Sequence, residues 1–458
     1  MIHRKQPFSL GVVACLLAWL PCGPLFSADK PNIVLIVSDD QAWTDYGFMG
    51  HDIIETPHLD RLAGEGVLFT RGYVPTALCR PSLMTLATGL YAHQHGVTGN
   101  DPSRLRTDRQ SPEYHQQRAR LISYIDRVET LPELLGDQGY LSHQSGKWWE
   151  GNYRRGGFTH GMTRGFPQKG GRHGDDGLTI GREGLAPIRS FIDEATAAEK
   201  PFFLWYAPFL PHTPHTPPER LFNKYKDKVE SPHVARYYAM CEWFDETCGE
   251  LVGILDAKKI LENTLIVYVC DNGWIQNPDA RGYAPRSKQT PYENGVRQPI
   301  FFHWPSRLKS VRRDDLVSSI DLFPTLLTVA GAPVPEGRPG LNLWTHLNDH
   351  TAVPRDIIFG EGFAHDIADL NKPEESLLYR WAIQGRWKLL LTYDGEVAAY
   401  KSTHPRTERR PQLFDLLKDP HETSNKAKDH PDVVASMVKA IDEWYPVEER
   451  EVIKFFRK

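Results

Sequence analysis

Thr76-Ala77-Leu78-Cys79-Arg80-Pro81-Ser82-Leu83-Met84-Thr85-Leu86-Ala87-Thr88-Gly89 is the segment around which the rest of the chain is arranged. A Pro81-Ser82 pair follows the cysteine, and an apolar run then extends to Gly89. This pattern predicts a loop feeding a helix, with Cys79 at or near the helix N-terminus. Free amides at such an end favour an anion or a developing negative charge. Free cysteines are also often simply buried, so the segment alone leaves both roles open.

Working outward, three apolar runs predict buried strands: Asn32 to Val37, Pro201 to Tyr206 and Thr264 to Val269. Pro299 to His303 is a candidate fourth, and a strand is also expected to start at Tyr140. Helices are expected over Thr56 to Gly66, Val128 to Gly139, Ile188 to Glu199, Ser231 to Leu255 and Ser319 to Ala330. Alternating strands and helices argue for an α/β fold, a mixed or parallel sheet covered by helices on both faces. Gly156 to Gly184 is glycine-rich and reads as an active-site loop or excursion. The composition changes around Gly331 to Asn342. Beyond it, short strands near 356–359, 379–384, 388–392 and 411–416, and a helix from Pro431 to Tyr445, predict a smaller α+β region. The expected division is 1–28 leader, 29–340 catalytic domain and 341–458 C-terminal subdomain.

His3, Arg4 and Lys5 precede an apolar run from Phe8 to Leu20, with Ser27-Ala28 beyond it. That is the layout of a secretory leader, and the run is short for a bilayer. A periplasmic or extracellular protein without stable membrane insertion is expected. The chain has 458 residues and a net charge of −4, with no long basic run, so composition gives no support for nucleic-acid binding. Of six cysteines, Cys15 and Cys22 leave with the leader. Cys79, Cys241, Cys248 and Cys270 match neither a zinc pattern nor a disulfide-rich module.

Chemistry concentrates at the strand ends. Asp39 and Asp40 follow one buried strand, and Asp271 and Asn272 follow another. Ligands of open parallel sheets bind at the carboxyl ends of strands, and four oxygen-bearing side chains suit a hard cation such as calcium. The same residue types are also common in turns. Pro211-His212-Thr213-Pro214 holds a histidine in a stiff backbone, suited to anion binding or proton exchange near neutral pH. His215 follows in the same loop. Lys147 and Lys288, taken alone, read as exposed surface lysines.

Taken together, these residues resemble the type I sulfatases. In that family Cys-x-Pro-Ser-Arg precedes Thr-Gly, and the cysteine is oxidised to formylglycine. Cys79, Pro81, Ser82, Thr88 and Gly89 match, whereas Leu83 replaces the arginine. Gly146-Lys147-Trp148 matches the start of Gly-Lys-Trp-His, with Trp149 in place of the histidine. Pro211 to Pro214 matches Pro-His-Thr-Pro, and Glu293-Asn294-Gly295-Val296-Arg297 is similar to Glu-Gly-Gly-x-Arg. The resemblance extends to the strand pair at Gly385 to Leu389 and to Leu413-Phe414-Asp415-Leu416. It implies an alkaline phosphatase-like fold and hydrolysis of a sulfate ester; export and the abundant aromatics favour a sulfated carbohydrate as the substrate. It further implies Cys79, Lys147, His212 and Lys288 as catalytic residues, with Cys79 matured to formylglycine by a dedicated generating system. One calcium ion would be held by Asp39, Asp40, Cys79, Asp271 and Asn272. Leu83 and Trp149 strip two polar partners from the nucleophile. His93, His95, His143 and Arg80 are the candidates to compensate. The rival readings are a phosphoesterase or phosphonate monoester hydrolase of the same fold, and a catalytically silent polyanion-binding protein.

Overall fold

The β-branched run beginning at Asn32 forms an inner strand of the main sheet. A computed structural model describes residue 1 and residues 30–103, 108–393 and 410–447. The leader expected over 1–28 lies, Met1 apart, outside the described residues. The strands are β1 (Asn32–Ser38), β2 (Val67–Tyr73), β3 (Asp101–Pro102), β4 (Leu141–Gly146), β5 (His160–Gly161), β6 (Phe202–Ala207) and β7 (Thr264–Cys270). They continue with β8 (Ile300–His303), β9 (Val311–Ser318), β10 (Ile357–Phe363), β11 (Asp366–Ile367), β12 (Leu377–Gln384), β13 (Trp387–Thr392) and β14 (Gln412–Asp415). The main sheet has the order β5-β4-β6-β1-β7-β8-β2-β9. Only β8 runs against its neighbours; the other strands share one direction.

Successive side chains of a strand point to opposite faces, and β1 buries both sets. Ile33, Leu35 and Val37 join Leu83, Met84, Leu135, Trp148 and Phe323 in one core. Val34 and Ile36 join Leu59, Ile188, Phe244 and Leu251 in the other. The first core is covered by helices Cys79–Thr88, Leu131–Asp137 and Leu322–Val329, the second by Pro57–Glu65, Ala186–Ala197 and Pro232–Ala257. This is the sheet sandwiched by helices that the apolar runs predict.

Three strands of this sheet escape the sequence reading: β2, β9 and the two-residue β5, which lies within the segment that reads as a glycine-rich loop. β9 carries Arg312, Arg313, Asp314 and Asp315 through its middle, and it survives as an edge strand, where charge is tolerated. β2 is interrupted by Thr70 and Arg71, which are only partly buried. Helix Pro112–Ile122 was also not expected. Its buried face is Tyr114, Arg118, Leu121 and Ile122, and the buried arginine breaks the apolar periodicity.

The second sheet, β10-β12-β13-β14, is antiparallel throughout. Helix Pro431–Trp444 lays Met437 and Ile441 onto Ala382, Leu389 and Leu413. The described residues from Pro31 onward belong to one compact unit. Lys388 of β13 is fully buried and reaches Glu293 Oε1 and Glu422 Oε1, each at 2.9 Å.

His143 on β4 supplies a test of the core away from the cleft. Its ring packs 5.0 Å from that of Phe191, and its Nδ1 is buried without a hydrogen-bond partner. Burial, with His160 adjacent, pushes it down to about 4. The folded state therefore disfavours the charged ring. The stability this contributes is present above the unfolded value near 6.5 and is lost as pH falls through about 4. Denaturant midpoints of H143M, measured from pH 7.5 to 4, should fall less steeply than those of the wild type. The expected difference at the acid end is on the order of 1–3 kcal/mol.

Candidate active site

Four adjacent, co-directional strands bring the candidate side chains to the same edge of the sheet. β4 ends at Gly146 and delivers Lys147; β1 ends at Ser38 and delivers Asp39 and Asp40; β7 ends at Cys270 and delivers Asp271 and Asn272. β6 ends at Ala207 and leads into the proline-rich loop that carries His212. The ladder continues past the strands: Asp39 N donates to Leu210 O at 3.0 Å, and Asp271 N to Ser38 O at 2.9 Å. Gly146 has φ +85°, and a Cβ there would stand 1.8 Å from Ala207 O, so only glycine allows Lys147 to leave β4 at this point. Asp40 takes φ 66°, a left-handed conformation that Asp tolerates better than most residues.

Cys79 is the first residue of helix Cys79–Thr88, all of whose residues are buried. Gly89 ends the helix in the left-handed conformation, and its N–H returns to Thr85 O. The thiol lies 3.5 Å from Asn272 Oδ1 and 3.9 Å from Asp39 Oδ1. Lys288, from the long loop between β7 and β8, brings Nζ to 3.2 Å from Cys79 Sγ and 2.5 Å from Asp40 Oδ1. Lys147 Nζ donates to Asp39 Oδ1 at 2.7 Å and lies 3.7 Å from Asp271 Oδ2. Asn272 Nδ2 donates to Asp40 Oδ1 at 2.6 Å. Cys79, Lys147, His212 and Lys288 thus meet the two acid pairs in one cluster.

His212 Nδ1 faces Thr213 O at 2.6 Å. A carbonyl only accepts, so the proton sits on Nδ1, and Nε2 faces Asp40 Oδ2 at 3.3 Å. Burial, reinforced by Lys147 and Lys288, pushes His212 well below its ordinary value. Burial raises Asp39, against the opposing pull of Lys147, and burial likewise raises Asp271. Burial resists the charge on Lys147 and on Lys288, but the summed pull of neighbouring groups, led by Asp39 for Lys147 and by Asp40 for Lys288 and joined by Cys79 and Asp271, holds both lysines above their usual range. Burial, then Asp271, pushes the Cys79 thiol up to about 12.

Asp39 Oδ2, Asp40 Oδ2 and Asp271 Oδ2 are buried and accept no hydrogen bond. Unsatisfied buried carboxylate oxygens are costly, and a hard cation satisfies them. Ligand atoms of Asp39, Asp40, Cys79 and His212 lie within 4.8 Å of one another, a plausible metal-ligand cluster. His212 is the member of this cluster that the sequence reading assigns to anion binding or proton exchange rather than to metal.

The cluster opens into a cleft of about 390 Å³ lined also by Asn100, Trp149, Arg172, His173, Trp274 and His365. None of the four expected compensators lines it. Arg80 is fully buried in a bidentate pair with Glu150, at 2.7 and 2.6 Å. His93 pairs with Glu361, and His95 Nδ1 accepts Val97 N–H. His143 faces Phe191. Leu83 and Trp149 are both buried in the same apolar cluster. Arg172 and His173, from the glycine-rich segment, occupy the cleft wall instead.

Two family models match: Sulfatase over residues 31–332 and the C-terminal region of N-sulphoglucosamine sulphohydrolase over residues 286–445. The chain belongs to the sulfatase family, and it is a sulfuric ester hydrolase. It is 28% identical to the N-acetylgalactosamine-6-sulfatase of Canis lupus familiaris, covering 87% of this chain and 82% of that one. It is 25% identical to the N-acetylgalactosamine-6-O-sulfatase of Bacteroides thetaiotaomicron, covering 91% and 93%. Among solved structures, that of Ps i-CgsB matches with a TM-score of 0.72 at 25% identity, covering 93% of this chain and 95% of that chain. Among the described residues no helix is long and apolar enough to cross a membrane.

Proposed function

We propose that this sulfatase removes sulfate from a sulfated carbohydrate after export. The nucleophile is Cys79 oxidised to formylglycine, and one calcium ion is held by Asp39, Asp40, Asp271 and Asn272 beside it. The observation that carries this reading is the placement of Cys79 Sγ at the head of a buried helix, 3.2 Å from Lys288 Nζ and 3.5 Å from Asn272 Oδ1. The three buried carboxylate oxygens without donors support the cation, and two sugar-sulfatase relatives support the substrate class. Export rests on the leader-like N-terminus. Maturation requires a formylglycine-generating system in the host, and residues 29–340 carry the chemistry, with 341–458 as the smaller subdomain.

As a hydrated aldehyde, residue 79 offers two hydroxyls, one to attack sulfur and one whose deprotonation expels sulfate. Calcium held by Asp39, Asp40, Asp271 and Asn272 would supply positive charge beside residue 79. The chain's own groups do the remainder. Lys147, tied to Asp39, presents positive charge to the sulfate oxygens where charge develops. Lys288 already reaches the nucleophile position and donates the proton that the departing alcohol needs. His212, fixed through Nδ1 by Thr213 O, turns Nε2 toward Asp40 and the reacting centre.

Elemental analysis of dialysed protein is expected to find about one calcium per chain, as a single cluster of hard oxygen ligands implies. D271A should lose that ion and sulfate-ester turnover together. Full activity in metal-free protein would contradict the calcium assignment. Preferred turnover of a phosphonate monoester over every sulfate ester tested would favour the rival hydrolase.

A further inference from the structure

Leu83 and Trp149 leave the nucleophile without two polar partners that its family places there, and the segment from Arg172 to Gly177 comes up against that gap. The N–H of Trp148 donates to His173 O at 3.2 Å, and Thr163 Oγ1 donates to Gly174 O at 3.1 Å. Gly177 lies so close to the end of β4 that a Cβ on it would stand 2.6 Å from Gly146 O. The loop is thereby held against the same strand end that delivers Lys147. Arg172 Nε donates to the two oxygens of Asp101 at 3.2 and 3.0 Å, and its guanidinium covers the Trp149 ring at 4.6 Å.

This clamp fixes His173. Its ring centroid lies 5.1 Å from that of Trp149 and 5.4 Å from that of Phe209. Phe209 in turn stacks on His212 at 4.3 Å and lies 5.6 Å from Lys147 Nζ. His173 therefore shares a wall with two proposed catalytic groups and lines the cleft with Cys79. Its Nδ1 is buried with no hydrogen-bond partner. An uncommitted imidazole in a polar cleft is a group waiting for a ligand, because leaving it unpaired is costly.

We propose that His173 contacts the sulfate group of the substrate beside Lys147, supplying from the glycine-rich loop the imidazole that Trp149 removes from the Gly-Lys-Trp-His motif. Trp149 then acts as the support that fills the space between Arg172 and the new imidazole. Burial, with Lys147 and Arg172 nearby, pushes His173 down to about 3. The ring is accordingly neutral at neutral pH and works as a hydrogen-bonding group, while the lysines supply charge. This inference rests on the sulfatase reading of the same cleft.

The test uses calcium-loaded protein with matched formylglycine content. H173A should lose about 100-fold or more in kcat/KM for a small aryl sulfate, the scale of one lost donor at a developing charge. Its affinity for inorganic sulfate, measured by calorimetry, should weaken in parallel. H173Q keeps an amide N–H and should recover part of both, and it carries the test if H173A does not fold. An active wild type with unchanged turnover and sulfate affinity in both variants overturns the inference alone. An inactive wild type whose sulfate binding is lost in H173A and partly restored in H173Q overturns the hydrolase reading and leaves the inference standing.

Discussion

Replacing Cys79 by alanine should abolish sulfate-ester turnover, a loss of roughly 10⁴-fold or more, the scale seen when a covalent nucleophile is removed. The fold should be unaffected, because the side chain removed is small and the rest of helix Cys79–Thr88 stays buried. The carboxylate oxygens that face the cation site remain, so calcium should still bind. C79S should behave like C79A unless the host also oxidises serine. The unmodified thiol is no substitute, because burial pushes it up to about 12 and leaves it protonated at neutral pH. A sulfated thiol would also lack the second hydroxyl that releases sulfate. Steady-state assays beside a thermal melt distinguish loss of chemistry from loss of fold.

The second large effect falls on stability. K388M should destabilise the protein by about 3–5 kcal/mol, the usual result of breaking a buried charge network from one side. Lys388 stands between Glu293 and Glu422, each at 2.9 Å. Glu293 Oε2 also accepts from Tyr73 OH at 3.0 Å, and Glu422 Oε2 accepts from Glu293 N at 2.7 Å. Removing the ammonium leaves two buried carboxylates facing each other without a cation between them. Burial already raises Glu422 in the wild type, so the network has little margin. Because Glu293 opens the short turn that leads back to β8, while Lys388 and Glu422 come from the C-terminal region, the loss is shared by both sheets. Urea titration of K388M and of K388M/E293Q/E422Q measures it. The triple variant should recover part of the lost stability, since it removes the stranded charges too.

The architecture was legible where one physical pattern dominates. β1, β6 and β7 are apolar on both faces, which locates the sheet, and the runs of β1 and β7 end abruptly in polar residues, which locates its functional edge. The acid pairs are readable for that reason, whereas His212 stands out by its proline-rich loop and Lys147 by the Gly-Lys-Trp motif. β9 was not, because an edge strand carries Arg312 to Asp315 without penalty. Helix Pro112–Ile122 is hidden by Arg118, which is buried with Asp101 and the carbonyl of Arg172 as its partners. The compensating groups were sought near the motif in sequence, yet Arg80, His93, His95 and His143 each have other neighbours. Arg172 and His173 lie in a glycine-rich loop with no periodicity to read. Their position depends on close backbone approaches, such as that of Gly177 to Gly146, which only coordinates reveal.

The proposed mechanism depends on the chemical state of residue 79. Mass spectrometry of the peptide containing Cys79, taken from protein purified from its native host and shown to hydrolyse a sulfate ester, tests it most directly. The prediction is that the thiol has been converted to an aldehyde, in a fraction that tracks specific activity from one preparation to the next. A preparation with full turnover whose residue 79 is entirely unmodified cysteine would contradict the proposed mechanism.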